Sequence, residues 1–119
     1  MPMKGDDIAE RMLDFGARVI RLVDALPKRL IGKHAGAQLL RCGTSAGANY
    51  EEGRGAESRS DFVHKLSVAR KEACEASFWL HLIQRTNLVK PELVESLVLE
   101  AHELAAILSA SIKTAKAKA

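Results

Sequence analysis

Along three stretches of this 119-residue chain, apolar residues recur at alternating steps of four and three. Ile8, Met12, Phe15, Val19, Leu22 and Leu26 keep the spacing until Pro27 stops it. Phe62, Leu66, Ala69, Ala73, Ala76, Leu80 and Ile83 repeat it, as do Val94, Val98, Ala101, Ala105, Leu108 and Ile112. A strand would alternate every two residues. A mean step near 3.5 instead draws an apolar stripe along an α-helix, the seam of a helix packed lengthwise against others. The boundaries agree. Ser60 or Ser58 stands ahead of Asp61 as an N-cap, and Asn87 suits a C-terminal end. Pro91 suits a first turn, with Glu92 and Glu95 near its positive end.

With a further segment before the second seam, the expected helices are 6–26, 30–54, 60–87 and 91–115. Short connections make neighbours antiparallel, so the expected fold is all-α, an antiparallel up-down four-helix bundle spanning 1–119 as one domain. Only 4% of residues are aromatic although 47% are hydrophobic, a Leu, Ala, Val and Ile filling that favours a bundle over a sheet. The small basic tail "KTAKAKA" is expected to fray.

Several function classes lose support. Cys42 and Cys74 belong to no CxxC or Cys/His cluster, which argues against a disulfide framework or zinc site and for a reduced, cytoplasmic setting. The first residues turn acidic at Asp6 without an apolar run, unlike a signal peptide, and no stretch approaches the roughly 20 apolar residues of a membrane span. A net charge of +3 permits an anionic partner without requiring one.

The segment "RCGTSAGANYEEGRG", Arg41 to Gly55, has two readings, a phosphate-cradling loop or a helix with one small face. As a helix it would place Gly32, Gly36, Gly43 and Gly47 within an arc of roughly 60°. Four interior glycines cost on the order of 4 kcal/mol relative to alanine unless close packing offsets it. The loop reading avoids that cost, but a Walker-type cradle needs GxxxxGK before Ser or Thr, and "GTSAGAN" has neither spacing nor lysine. The helix is therefore the favoured reading.

The helices also carry more apolar surface than one seam needs. Ala9, Leu13, Gly16, Ile20 and Val23 form a second stripe on the first helix. Val68, Trp79 and Leu82 flank the third seam, and Leu93, Leu97, Leu104 and Ile107 the fourth. Helices touching two neighbours need broad faces, but the excess on three of four points to a homo-oligomer.

Polar residues offer little chemistry. Glu72 and Glu75 sit in mid-helix on the Trp79 flank, and either form a solvated face with Lys71 and nearby cations or bond Arg or backbone groups in a subunit contact. A two-metal bundle uses Glu-x-x-His from two helices, and the chain has none, so no metal or cofactor is expected. His34, His81 and His102 have no partner at ligand spacing, and Ser45, Ser67 and Cys74 lack an adjacent base. No catalytic residue is assigned, and the expectation is a protein that is not an enzyme. Arg11, Arg18 and Arg21 share a polar face with Asp7 and Asp14, a mixed pattern that is a weak nucleic-acid signal.

These residues carry a resemblance. The stretch from Arg41 to Ile83 resembles the four-helix-bundle proteins of the family first described from intervening sequences in bacterial 23S ribosomal RNA genes. The family pattern S-x-x-A-N-x-x-E-G is matched by Ser45, Ala48, Asn49, Glu52 and Gly53. A second pattern, D-F-x-x-K-L-x-x-A-x-K-E-A-x-E-x-x-x-W-L, is matched by Asp61, Phe62, Lys65, Leu66, Ala69, Lys71, Glu72, Ala73, Glu75, Trp79 and Leu80. Cys74 stands where many members have Asn or another small polar residue. The resemblance implies a non-catalytic bundle that assembles as a homopentameric ring. It also implies kinship to the accessory variability determinant of diversity-generating retroelements, whose basic ring binds nucleic acid and a reverse transcriptase.

The expected partners are accordingly a second copy of the chain, RNA or DNA, or a partner protein, without a membrane. Gly43, Gly47, Asn49, Glu52, Gly53, Glu72, Glu75 and Trp79 are the candidates for the motif and assembly surface. Arg11, Arg18, Arg21, Arg41, Arg54 and Lys65 are the candidates for nucleic-acid contact.

Overall fold

The computed structural model of the chain describes residues 3–118, and the helices among them are α1 (Asp6–Ala25), α2 (Leu30–Arg54), α3 (Arg59–Arg85) and α4 (Glu92–Ala117). Met1, Pro2 and Ala119, the extremities of the expected domain, lie outside the described residues. Each helix packs antiparallel to the next along a body 48 Å long, an all-α four-helix bundle. The α1–α2 and α3–α4 connections therefore meet at one end, and the α2–α3 connection lies at the other.

Local chemistry sets the ends. The Ser58 hydroxyl accepts the Asp61 N–H at 3.0 Å, so Ser58 rather than Ser60 caps α3. Asn87 adopts φ 55°, the left-handed turn after a helix that asparagine tolerates. Pro91 caps α4, and its carbonyl accepts the Glu95 N–H at 3.0 Å. The tail departs from expectation, because α4 continues to Ala117. Apart from Thr114 its composition is alanine and lysine, both good helix formers, and Arg59 donates to the Lys118 carbonyl at 2.6 Å.

The three seams form the core. Met12, Phe15, Val19, Leu22 and Leu26 of the first are buried, as are Leu66, Ala69, Ala73, Ala76, Leu80 and Ile83 of the third. From α4 come Val94, Val98, Ala101, Leu108 and Ile112, joined by Leu97 and Leu104. Those last two, which the sequence places outside the seam, are buried and belong to the core of this chain.

The glycine-rich segment is helical, and its small face is turned to α1. A Cβ on Gly43 would lie 2.9 Å from both γ-carbons of Val19, and one on Gly36 3.2 Å from Val23 Cγ1. At Gly47 it would stand 3.2 Å from Met12 Cβ. Close approach of α1 and α2 thus offsets the low helix propensity of glycine. Gly32 serves the turn, since a Cβ there would sit 1.9 Å from the Pro27 carbonyl oxygen. The α1–α4 seam is the thinnest, and a forked Arg11–Glu100 pair at 3.0 and 2.7 Å bridges it.

Candidate functional site

The two sequence motifs close on each other across the α2–α3 seam. Glu52 accepts from Lys65 Nζ at 2.8 Å, which raises the ammonium pKa above its ordinary value. Beside it, Gly53 leaves room for Leu66, whose Cδ1 would stand 2.7 Å from an added Cβ. The E-G of one pattern is therefore seated on the K-L of the other. Asn49 bonds within its own helix, donating to the Ser45 carbonyl at 2.9 Å and hydroxyl at 3.0 Å.

Further along the same seam, Arg41 of α2 donates to Glu72 of α3 at 3.1 Å and also to Glu75. Trp79 donates its indole N–H to Glu75 at 3.2 Å and packs edge-to-face with His34, ring centres 5.6 Å apart. Among the described residues, Glu72 and Glu75 form no ion pair with Lys71. They bond an arginine of the same chain, and Glu72 is largely covered, its side chain 14% exposed. Of the glycines expected in assembly, Gly43 is buried against Val19 of α1, whereas Gly47 approaches Met12 and is only partly covered.

The predicted nucleic-acid contacts are mostly neutralised. Arg11 pairs with Glu100 and Glu103, Arg41 with Glu72 and Glu75, Arg54 with Asp6 and Glu51, and Lys65 with Glu52. Arg18 donates to the Ser96 hydroxyl at 2.7 Å, and Arg21 is exposed. Tertiary pairing hides this outcome from the sequence, because every carboxylate but Glu51 comes from another helix.

Free positive charge gathers elsewhere. Arg21, Lys28, Arg29, Lys33, Arg85 and Lys90 lie at the end where the α1–α2 and α3–α4 connections meet, and all six are exposed. None joins an ion pair among the described residues. Only Asp24, Glu92 and Glu95 oppose them there, so twelve of the eighteen cations and twelve of the fifteen carboxylates remain for the rest of the chain. The end thus carries a clear positive excess in a chain whose net charge is only +3. In the sequence these residues fall in three separate clusters, which only the antiparallel topology joins.

Exposed apolar surface has a place of its own. Leu13 (70% exposed) and Ile20 (47%) stand on α1 beside a groove of about 420 Å³. Ala9, Gly16 and Ala17 of α1 and Thr44, Gly47 and Ala48 of α2 line it. Of the second stripe of α1, Leu13 and Ile20 face solvent, whereas Ala9 and Val23 pack against the core. On the outer face of α3 and α4, Phe78 (57%) and Leu99 (59%) are also exposed.

Reactive groups are sparse. No three His, Cys, Asp or Glu side chains gather at metal-binding distance among the described residues. Burial, followed by the nearby Glu75 charge, pushes the Cys42 thiol up to about 11, whereas Cys74 is exposed. His81 and His102, without partners at ligand spacing in the sequence, meet across α3 and α4 with their Nε2 atoms 3.4 Å apart. A separation of 21 residues hides that meeting until the helices are docked. No described helix is long and apolar enough to cross a membrane.

Residues 5–110 match the family model described as 23S rRNA-intervening sequence protein. Among solved structures, the chain is similar to a protein of unknown function from the S23 ribosomal protein family of Bacteroides thetaiotaomicron. The two are 37% identical with a TM-score of 0.82, over 89% of this chain and 98% of that one. No curated protein matches the chain at a significant level.

Proposed function

Because the chain belongs to the 23S rRNA-intervening sequence protein family, we propose that it acts as a non-enzymatic, self-assembling bundle that binds nucleic acid through its basic end. One observation carries this reading: six exposed, unpaired cations face only three carboxylates at the end where two connections meet. Self-assembly supplies the strength. Cyclic symmetry would bring the same end of every copy to one face of a ring, multiplying a modest charge by the number of subunits. The α1–α2 groove, with Leu13 and Ile20 at its edge, is the surface for that contact. Its exposed apolar residues gain by leaving water. With four cations in ion pairs, the sides of the bundle contribute little to phosphate binding.

The test is fluorescence anisotropy with labelled structured RNA and duplex DNA over a salt series. Binding should weaken linearly in a log–log plot, each phosphate contact adding a slope of roughly 0.7–0.9. Reversing Lys28, Arg29 and Lys33 to Glu should abolish binding, while Lys65→Glu should change it little. Failure to bind either nucleic acid at low salt would sink the reading. Light scattering tests the assembly, which Leu13→Glu should dissociate.

A second reading, a scaffold that docks a partner protein, is favoured by exposed Phe78 and Leu99 on α3 and α4, away from the groove. It predicts a stoichiometric protein that survives nuclease treatment in a pulldown and is lost from Phe78→Ala.

A further inference from the structure

Imidazole is a common ligand of divalent transition metals, and two rings serve one ion only when both present a nitrogen lone pair to a single point. His81 of α3 and His102 of α4 have the spacing this requires. Their Nε2 atoms are 3.4 Å apart, with ring centres at 5.4 Å and planes inclined by 37°. With a zinc–nitrogen bond of about 2.05 Å, nitrogens at that separation subtend about 110° at the ion, the tetrahedral angle. The cis angle of a tetragonal copper(II) site, about 90°, would require nitrogens nearer 2.9 Å apart. The ring centres agree, since two imidazoles aimed at one zinc place them about 5.3 Å apart.

We propose that His81 and His102 form a zinc-binding pair that ties α3 to α4 on the outer face of the bundle. Both side chains are exposed, so an ion reaches them without opening the fold. In place of the ion the structure shows a shared hydrogen-bonding position: His102 Nε2 meets the Ser77 hydroxyl at 2.8 Å and His81 Nε2 at 3.4 Å. Zinc takes up one lone pair from each ring there. Ser77, 8% exposed, hydrogen-bonds that same Nε2 of His102, so its hydroxyl gives up this nitrogen when zinc binds. Two of the four tetrahedral positions come from the protein and the other two from solvent or an added ligand. Phe78 and Leu99, each three residues before a histidine, rim the pair with exposed apolar surface.

Calorimetric titration of the full, tag-free chain with zinc chloride tests the pair, in a Cys74→Ser background that removes the exposed thiol. One saturable zinc per chain is expected, and zinc should raise the midpoint of thermal unfolding, because only the folded chain holds the two rings together. His81→Ala should weaken uptake at least about tenfold and abolish the thermal shift, since it removes half the protein ligands. His102→Gln should do the same while keeping a hydrogen-bonding group beside Ser77, which separates ligand loss from damage to the seam. Circular dichroism without zinc should match the parent for both variants. Absence of saturable uptake by the parent, or uptake and thermal shift retained in His81→Ala and His102→Gln, would overturn the proposal.

Discussion

Gly43→Ala and Gly16→Ala make a matched pair at one helix–helix contact, and the structure assigns them opposite signs. Either change gains helix propensity, about 1 kcal/mol in a helix interior. At Gly43 the new methyl would meet Val19 Cγ1 and Cγ2 at 2.9 Å and Cβ at 3.3 Å. Val19 is fully buried and β-branched, so it has no free rotamer into which to retreat. Overpacking of this kind costs about 1–3 kcal/mol, and with both γ-carbons in the way the upper part of that range applies. The net expectation is a loss of about 1–2 kcal/mol, a fall of about 4–8 °C in Tm for a chain of this size. At Gly16 the nearest atoms would be Thr44 Cγ2 at 3.9 Å and the Gly43 carbonyl oxygen at 4.0 Å, ordinary contacts. That variant should gain about 0.5–1 kcal/mol. Urea unfolding followed by circular dichroism, at one fixed protein concentration, separates the two. If Gly43→Ala proved more stable than the parent by the propensity gain, the inferred close approach of α1 and α2 would be wrong.

Arg41→Ala should cost about 1 kcal/mol in low salt and less at high salt, and Arg41→Lys should not restore it, because an ammonium cannot fork to Glu72 and Glu75 together; double-mutant cycles in urea measure the coupling. Alkylation of the native protein near neutral pH should label Cys74 and spare Cys42, whose thiol is buried with its pKa near 11; intact mass should show a single adduct until denaturant is added. Asp6 has its carboxyl held below the ordinary range by the Met3 backbone N–H and then by Arg54. Its stabilising effect is therefore present above the unfolded pKa, near 3.9, and lost as pH falls through the lower folded value. Asp6→Asn should flatten the acid limb of a Tm-versus-pH curve, and an unchanged limb would count against the clamp between Asp6 and Arg54.

Three helices, their seams and the cap near Ser58 were legible because they depend on spacing along one element. A stripe at steps of three and four has to be buried, whatever covers it. The two motifs were legible as patterns too, but their meaning was not: Glu52 and Gly53 act on Lys65 and Leu66, and Asn49 only on its own helix. Leu97 and Leu104 looked like surplus because a wheel shows how wide an apolar arc is and says nothing of how many neighbours share it.

From the sequence by itself came the fold class, the glycine-lined helix and the excess apolar stripe on α1, each a consequence of local periodicity and propensity. Only tertiary structure decided which charges are free. Arg11, Arg41, Arg54 and Lys65 meet carboxylates contributed largely by other helices, while Lys28, Arg29, Lys33, Arg85 and Lys90 collect at one end. It likewise turned the small face of α2 inward onto Val19 and brought His81 to His102. The physical reason is common to all three: pairing energies fall off within a few ångströms, and such distances between residues remote in the chain exist only once the helices have docked.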